Sequence, residues 1–326
     1  MFLNNKDRLL VIGLMVLCLI SIPLNKMQIS NQENCEPTFN NANKISLISL
    51  TGMIADDSDN ESIFDFTTGG SPSKALKLLK KALKDDKIKA VVLKINSPGG
   101  TVSMSQTLAK KVGQLVKKDK LVVVSMGDIA ASGGYYIASA ANRIFAEPGT
   151  LTGSIGVIMD LMNFTGISQK LGISANVIKS GPYKDIGSPF RPMTPAEHNI
   201  LQGIVDDSYN QFVQAVALGR NMPTDKVKLL ANGSIYTGKQ ALQNHLIDEI
   251  GDCDDAIDYA QSYCQKKYHL NEKLKVDKNH NSIFLDSLET NIKSLKLPLN
   301  SNFNNLSLDY SYLLNRYNRI PLWLMQ

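Results

Sequence analysis

Histidine and cysteine are scarce in this chain of 326 residues, four of each, and there is one tryptophan. Four cysteines, at 18, 35, 253 and 264, are too few for a disulfide scaffold in a chain this long. No CxxC or CxxH pair occurs, which removes the usual structural zinc site. No block joins Lys/Arg runs to interleaved aromatics, so nothing points to nucleic acid. Neither sign of charge dominates. A formal charge of +5, with 43% hydrophobic and 20% charged residues, excludes a disordered or collagen-like chain. The length suits one or two domains with a sizeable core, and no internal repeat is present.

Charge is wholly missing from Leu9 to Leu24, LLVIGLMVLCLISIPL. Sixteen residues give roughly 24 Å of helix, a little short of a ~30 Å hydrocarbon core, a mismatch that snorkelling and local thinning absorb. No A-x-A-like site follows, and Cys18 lacks the small residues that precede a lipoprotein cysteine. Residues 1–28 therefore read as a retained signal anchor rather than a cleaved signal. Lys6 and Arg8 precede the run and Lys26 follows it, which places the N-terminus in the cytoplasm and the body outside. Residues 29–44 are polar and Asn-rich and read as a tether.

From Ile45 the pattern alternates strand and helix: strand at 45–54, helix at 71–86, strand at 89–95, helix at about 103–118, strand at 121–126, and a small-residue helix from Ser132. Leu76, Leu79 and Leu83 mark one face of the first helix. Residues 194–218 read as a long helix, 236–251 as helix, turn and short strand, and 254–267 as helix. This is an α/β pattern, a mainly parallel sheet flanked by helices. Cys253 and Cys264 fall on the last helix about 16 Å apart, beyond the ~7 Å Cα limit for a disulfide. Residues 268–326, rich in Asn, Ser and Leu, read as a loosely ordered tail.

The chemistry centres on Asp128-Ile129-Ala130-Ala131-Ser132-Gly133-Gly134-Tyr135-Tyr136, directly after a buried strand. A serine opening a helix sits beside free backbone N–H groups that suit a developing oxyanion. The same residues also describe an N-capping serine with glycines for close packing. A second turn, Ser97-Pro98-Gly99-Gly100, follows the preceding strand. Neighbouring parallel strands open onto one crevice, so an N–H of Gly99 or Gly100 could join that of Gly133 in holding an oxyanion.

A base is needed to activate the serine. His198, His245, His269 and His280 all lie in polar, helical or tail settings. Lysine is the alternative, as in Ser-Lys hydrolases. Lys74, Lys77, Lys80, Lys81 and Lys84 belong to a solvated helix face. Lys184 instead lies in the shaped, partly apolar loop Ser180-Gly181-Pro182-Tyr183-Lys184-Asp185-Ile186-Gly187-Ser188-Pro189-Phe190. A lysine base must be neutral near pH 7, well below its ordinary ~10.4, and burial lowers it. Tyr183, Ile186 and Phe190 are the groups expected to bury it, and the Asp185 carboxylate is expected to point away.

Together INSPGG (95–100), DIAASGGYYIA (128–138), EPGTLTGSIGV (147–157) and SGPYKDIGSPFRPMT (180–194) resemble the SppA-type signal peptide peptidases in their short, single-repeat form. The resemblance covers about residues 45–267. It implies a crotonase/Clp-protease-like fold, Ser132 as nucleophile, Lys184 as general base, and Ser154 as the residue that orients the lysine. It implies endoproteolysis of remnant signal peptides and other small or unfolded apolar peptides, with no cofactor or metal. It implies a bacterial inner-membrane protein with its catalytic domain on the periplasmic side, held to the bilayer through residues 9–24. The long family members carry two copies of the domain and take serine and lysine from different copies. A single-copy chain is therefore expected to form a homo-oligomeric ring, an eight-membered dome by the resemblance, with sites shared between protomers. Two competing readings are a crotonase-like acyl-CoA enzyme, which needs acidic catalytic residues, and a membrane scaffold with a degenerate site.

Overall fold

The computed structural model describes residues 43–56 and 70–278. The apolar run 9–24, most of the tether and the tail beyond 278 lie outside the described residues. Among those described, no helix is long and apolar enough to cross a membrane.

Strands β1 (Lys44–Thr51), β2 (Ile88–Ser97) and β3 (Leu121–Ala131) alternate with helices α1 (Pro72–Lys84) and α2 (Val102–Lys117). Then follow α3 (Gly133–Ala138), β4 (Arg143–Ala146), β5 (Leu151–Gly153), α4 (Thr165–Lys170) and α5 (Pro195–Gly219). The chain closes with α6 (Thr224–Leu230), β6 (Ile235–Thr237), α7 (Gly238–Gln243), β7 (Glu249–Ile250), α8 (Cys253–Tyr268) and β8 (Lys275–Asp277). These strands form one sheet in the order β6-β5-β3-β2-β1-β8, with β4 branching from β3 and β7 paired to β4. Every pairing is parallel except β5 with β6.

Both faces of the central strands are covered, which explains their unbroken apolar runs. Val91, Leu93 and Ile95 of β2 and Val122, Val124 and Met126 of β3 face the core under α1, α2 and α3. Their neighbours Ala90, Val92, Leu121 and Val123 face α8 through Ala256, Ala260 and Cys264. Each fully buried Val, Leu or Ile contributes roughly 1.5–3 kcal/mol. Helix α1 buries Ala75, Leu78, Leu79 and Ala82, so Leu76 and Leu83 flank the contact instead of forming its centre. Lys120 is buried with its Nζ on the carbonyls of Ala82 (2.6 Å) and Asp85 (2.7 Å), closing the C-terminus of α1. Cys253 and Cys264 lie on the single helix α8 as free thiols.

Two features differ from the sequence expectation. β8 adds a parallel edge strand beside β1, so ordered chain continues past the expected boundary at 267 into the segment read as tail. β3 also runs beyond residue 126, up to Ala131 beside Ser132. Against β2, it carries extra residues: Ile95 pairs with Met126 but Ser97 with Ala130. Asn96 fills the bulge, accepting from the Ile129 N–H (3.1 Å) and donating to Asp128 (3.4 Å). The bulge hands β3 from β4, its partner at Val123–Met126, to β5, its partner at Ile129–Ala131. That change of partner sets the position of Ser132.

Candidate active site

Ser132 occupies a strained turn. Its backbone has φ 51° and ψ −120°, a region that non-glycine residues seldom adopt and that costs on the order of 1–3 kcal/mol. The conformation is held from several sides. The Ser132 N–H donates to the carbonyl of Gly153 on β5 at 2.8 Å, and the Ser132 carbonyl accepts from the Tyr136 N–H at 2.9 Å. Below it, Tyr135 is wholly buried and its hydroxyl donates to the Leu246 carbonyl at 2.9 Å. Burial pushes that phenol above its ordinary range, so it stays a donor.

The second glycine turn closes on the first. Ile54 clamps it, donating its N–H to Gly99 O (2.8 Å) and accepting from the Thr101 N–H (2.7 Å). A Cβ on Gly100 would fall 2.0 Å from the Ile54 carbonyl oxygen. Gly99 has φ 112°, and a Cβ there would lie 2.8 Å from Ser132 Cβ and 2.9 Å from Gly133 N. The Cβ position of Gly133 lies 3.3 Å from Gly100 N. The amides of Gly100 and Gly133 are therefore neighbours beside Ser132. Among the described residues neither N–H donates a hydrogen bond, whereas the Gly99 N–H is engaged by Ser97 Oγ at 3.1 Å. The sequence left Gly99 and Gly100 equivalent as donors; the geometry separates them. Gly99 gives room, and Gly100 offers a free amide. Gly99→Ala is expected to lower kcat/KM by about 100- to 1,000-fold, the scale of a spoiled oxyanion hole. Steady-state kinetics with circular dichroism checks this: a folded, fully active variant would contradict it.

Ser154 follows Gly153, the residue whose carbonyl holds Ser132. Its own φ is 48°, and its N–H donates to Ser234 O at 2.8 Å. Thus Ser132, Gly99, Gly100, Gly133 and Ser154 gather at the ends of β2, β3 and β5. Lys184 sits in an exposed turn, and among the described residues its Nζ makes no hydrogen bond or ion pair. Tyr183 and Phe190 are exposed and Ile186 is only half-buried, so within one protomer they do not bury Lys184 as the sequence suggested. The reason is architectural. Residues 156–194 carry only α4 as regular structure, and most of their side chains are exposed.

Asp185 does turn away from Lys184. Its carboxylate accepts from Arg191 Nε (2.8 Å) and a terminal Arg191 nitrogen (2.9 Å), and from Lys179 Nζ (2.6 Å). Arg191 also reaches Glu197, donating to Oε2 at 2.9 Å and pairing with Oε1. Glu197 closes the capping box of α5 by accepting from the Thr194 N–H at 2.8 Å. Arg191 first, then Lys179, holds Asp185 well below the usual carboxylate range, and Arg191 lowers Glu197 to about 2. Both carboxylates are ionised and paired across the neutral range. No periodicity announces this network; its signal is the six-residue spacing of Asp185, Arg191 and Glu197. The histidines play local roles: His245 and His269 take positive φ at helix ends, and His198 is exposed.

The geometry is that of an acyl-transfer site: a serine on a constrained strand-to-helix turn with two free amides beside it. Residues 114–267 match the model of peptidase family S49. A relative from Enterococcus faecium, named "Putative signal peptide peptidase SppA", is 40% identical over 238 residues, which is 72% of this chain and 69% of the relative. The chain belongs to peptidase family S49. It is a serine protease. A relative from Synechocystis, named "Putative protease", is 46% identical over 217 residues, 67% of this chain and 73% of that one. Protease 4 of Haemophilus influenzae is 35% identical over 230 residues; this S49 peptidase spans 36% of that longer chain.

Proposed function

We propose that this S49 peptidase is a membrane-anchored endopeptidase working through a Ser132–Lys184 dyad on remnant signal peptides and other small or unfolded apolar peptides. The observation that carries the reading is the pair of free amides, Gly100 and Gly133, beside the strained Ser132 turn. Ser132 Oγ attacks the peptide carbonyl while Lys184 Nζ takes its proton. The two amides hold the oxyanion. The tetrahedral adduct collapses, Lys184 returns the proton to the leaving amine, and an acyl-Ser132 ester remains. Lys184 then takes a proton from water as the water oxygen attacks the ester carbonyl; the bond to Ser132 Oγ breaks, Lys184 gives that proton to Oγ, and the acid product leaves. Ser154 orients Lys184. The parallel sheet with its bulged third strand fits the crotonase/Clp-like fold that the sequence motifs imply, and residues 9–24 serve as the anchor, with the catalytic domain outside the cytoplasmic membrane.

Lys184 needs desolvation to lose its proton, and the isolated protomer leaves it exposed. A second protomer supplies the cover. Ile158 is 91% exposed and Ile178 fully so, and Met162, Ile167, Leu171 and Ile173 are exposed with them. So many large apolar side chains left exposed on one short segment suit a surface that a neighbouring subunit covers. Packing it against the next protomer in a closed ring brings Lys184 of one chain to Ser132 of its neighbour. The test is complementation under verified subunit exchange. Ser132→Ala and Lys184→Ala, each inactive alone, recover partial activity when mixed. A mixture that exchanges but stays inactive places the dyad within one chain.

A further inference from the structure

Lys184 is followed directly by a carboxylate, an awkward neighbour for a lysine that must act uncharged. Left free, Asp185 would pair with the ammonium form and hold the proton on. The structure occupies it fully. Both Asp185 oxygens are taken, one by Arg191 Nε at 2.8 Å and the other by Arg191 at 2.9 Å and Lys179 at 2.6 Å. Arg191 also donates to the Asp185 backbone carbonyl at 3.2 Å, and Lys179 to Pro182 O at 3.1 Å, so the same two cations shape the turn that presents Lys184. The Asp185 side chain is only 11% exposed, and Glu197 behind Arg191 only 2%. This is a built cluster, not a surface encounter.

We infer that Arg191, with Lys179, insulates Lys184 from Asp185, making Arg191 a positioning residue that sets the pH range of catalysis. This rests on Lys184 being the base. The charges facing the turn are Lys179, Asp185 and Arg191 on the loop itself and Glu197 from α5. Asp160 is the titratable group on the packed segment 156–164, which meets the loop through Leu161 at Gly187 and Phe164 at Pro189. His198 is the next titratable group along α5. Lys179, Asp185, Arg191 and Glu197 sum to zero charge around Lys184. Removing one cation leaves the cluster at −1 and favours protonated Lys184; removing one carboxylate leaves it at +1 and favours the neutral amine.

The experiment is the pH dependence of kcat/KM for the full chain, on an apolar peptide substrate, in four forms. Arg191→Gln is expected to move the acid limb to higher pH by about 0.5–1 unit, the effect of one nearby unit charge in a partly exposed site. Asp185→Asn moves it down by a similar amount. The double variant returns the limb close to the wild-type position. A purely structural role gives a different result: Arg191→Gln lowers the rate alike at every pH, and Asp185→Asn does not restore it. That outcome overturns the inference. Should Arg191→Gln fold poorly, Lys179→Gln and Asp185→Asn must still move the limb in opposite directions; an unmoved limb in both overturns it equally. If Lys184→Ala keeps both its activity and its limb, the base assignment fails instead, and the two failures are told apart.

Discussion

Ser132→Ala is expected to abolish peptidase activity, by at least about 1,000-fold in kcat/KM, with the fold intact. In the proposed mechanism the hydroxyl is the attacking group, and what survives its loss is the catalysis that the oxyanion amides and substrate binding would provide alone. The scaffold does not depend on Oγ: the turn is held by the Ser132 backbone, through its N–H to Gly153 and its carbonyl to Tyr136. A second substitution separates chemistry from strain. Ser132→Gly removes the same hydroxyl but accepts φ 51°, ψ −120° without a Cβ. It is expected to be equally inactive, yet about 1 kcal/mol more stable than Ser132→Ala. Denaturant unfolding beside steady-state kinetics reads both. A Gly variant less stable than the Ala variant would show that the turn is not strained as described.

Lys184→Ala and Lys184→Arg are both expected to lose about 100-fold or more of the rate, the scale of a missing general base. The arginine variant is the sharper of the two. It keeps length and charge but stays protonated at any working pH, so it cannot accept the serine proton. Because Lys184 is exposed and its side chain makes no partner among the described residues, neither change disturbs protomer packing. Circular dichroism should show the protomer fold intact while kcat/KM falls. Arginine at 184 with wild-type rates would remove this residue from the mechanism.

The central sheet was legible in the sequence because β2 and β3 are buried on both faces and read as unbroken apolar runs. Helices α2, α5 and α8 were read at about 103–118, 194–218 and 254–267, within a few residues of where they lie. The partner change of β3 was not legible. It depends on the Gly127–Ile129 bulge and on Asn96, which carry no periodic signal. β8 was missed for a similar reason. Three residues, Lys-Val-Asp, become a strand only because β1 offers a free edge beside them. At the site, Ser132 and the two glycine turns could be read from their places after strands. Which amide stays free could not, because it turns on Ser97 Oγ capturing the Gly99 N–H. The environment of Lys184 was misjudged for a physical reason: nearby apolar residues bury a side chain only if something covers them, and in one protomer nothing does. Asp185 turning away was foreseen, but its captor Arg191 was not.

Ser132 is expected to form a covalent acyl intermediate, and active-site labelling tests that most directly. The full chain is treated with a serine-directed phosphonofluoridate, digested, and the adduct located by mass spectrometry. One adduct per chain on the peptide carrying Ser132, absent from Ser132→Ala and slowed strongly in Lys184→Ala, is the expected result. An adduct on another serine, or equal labelling of Ser132→Ala, would contradict it.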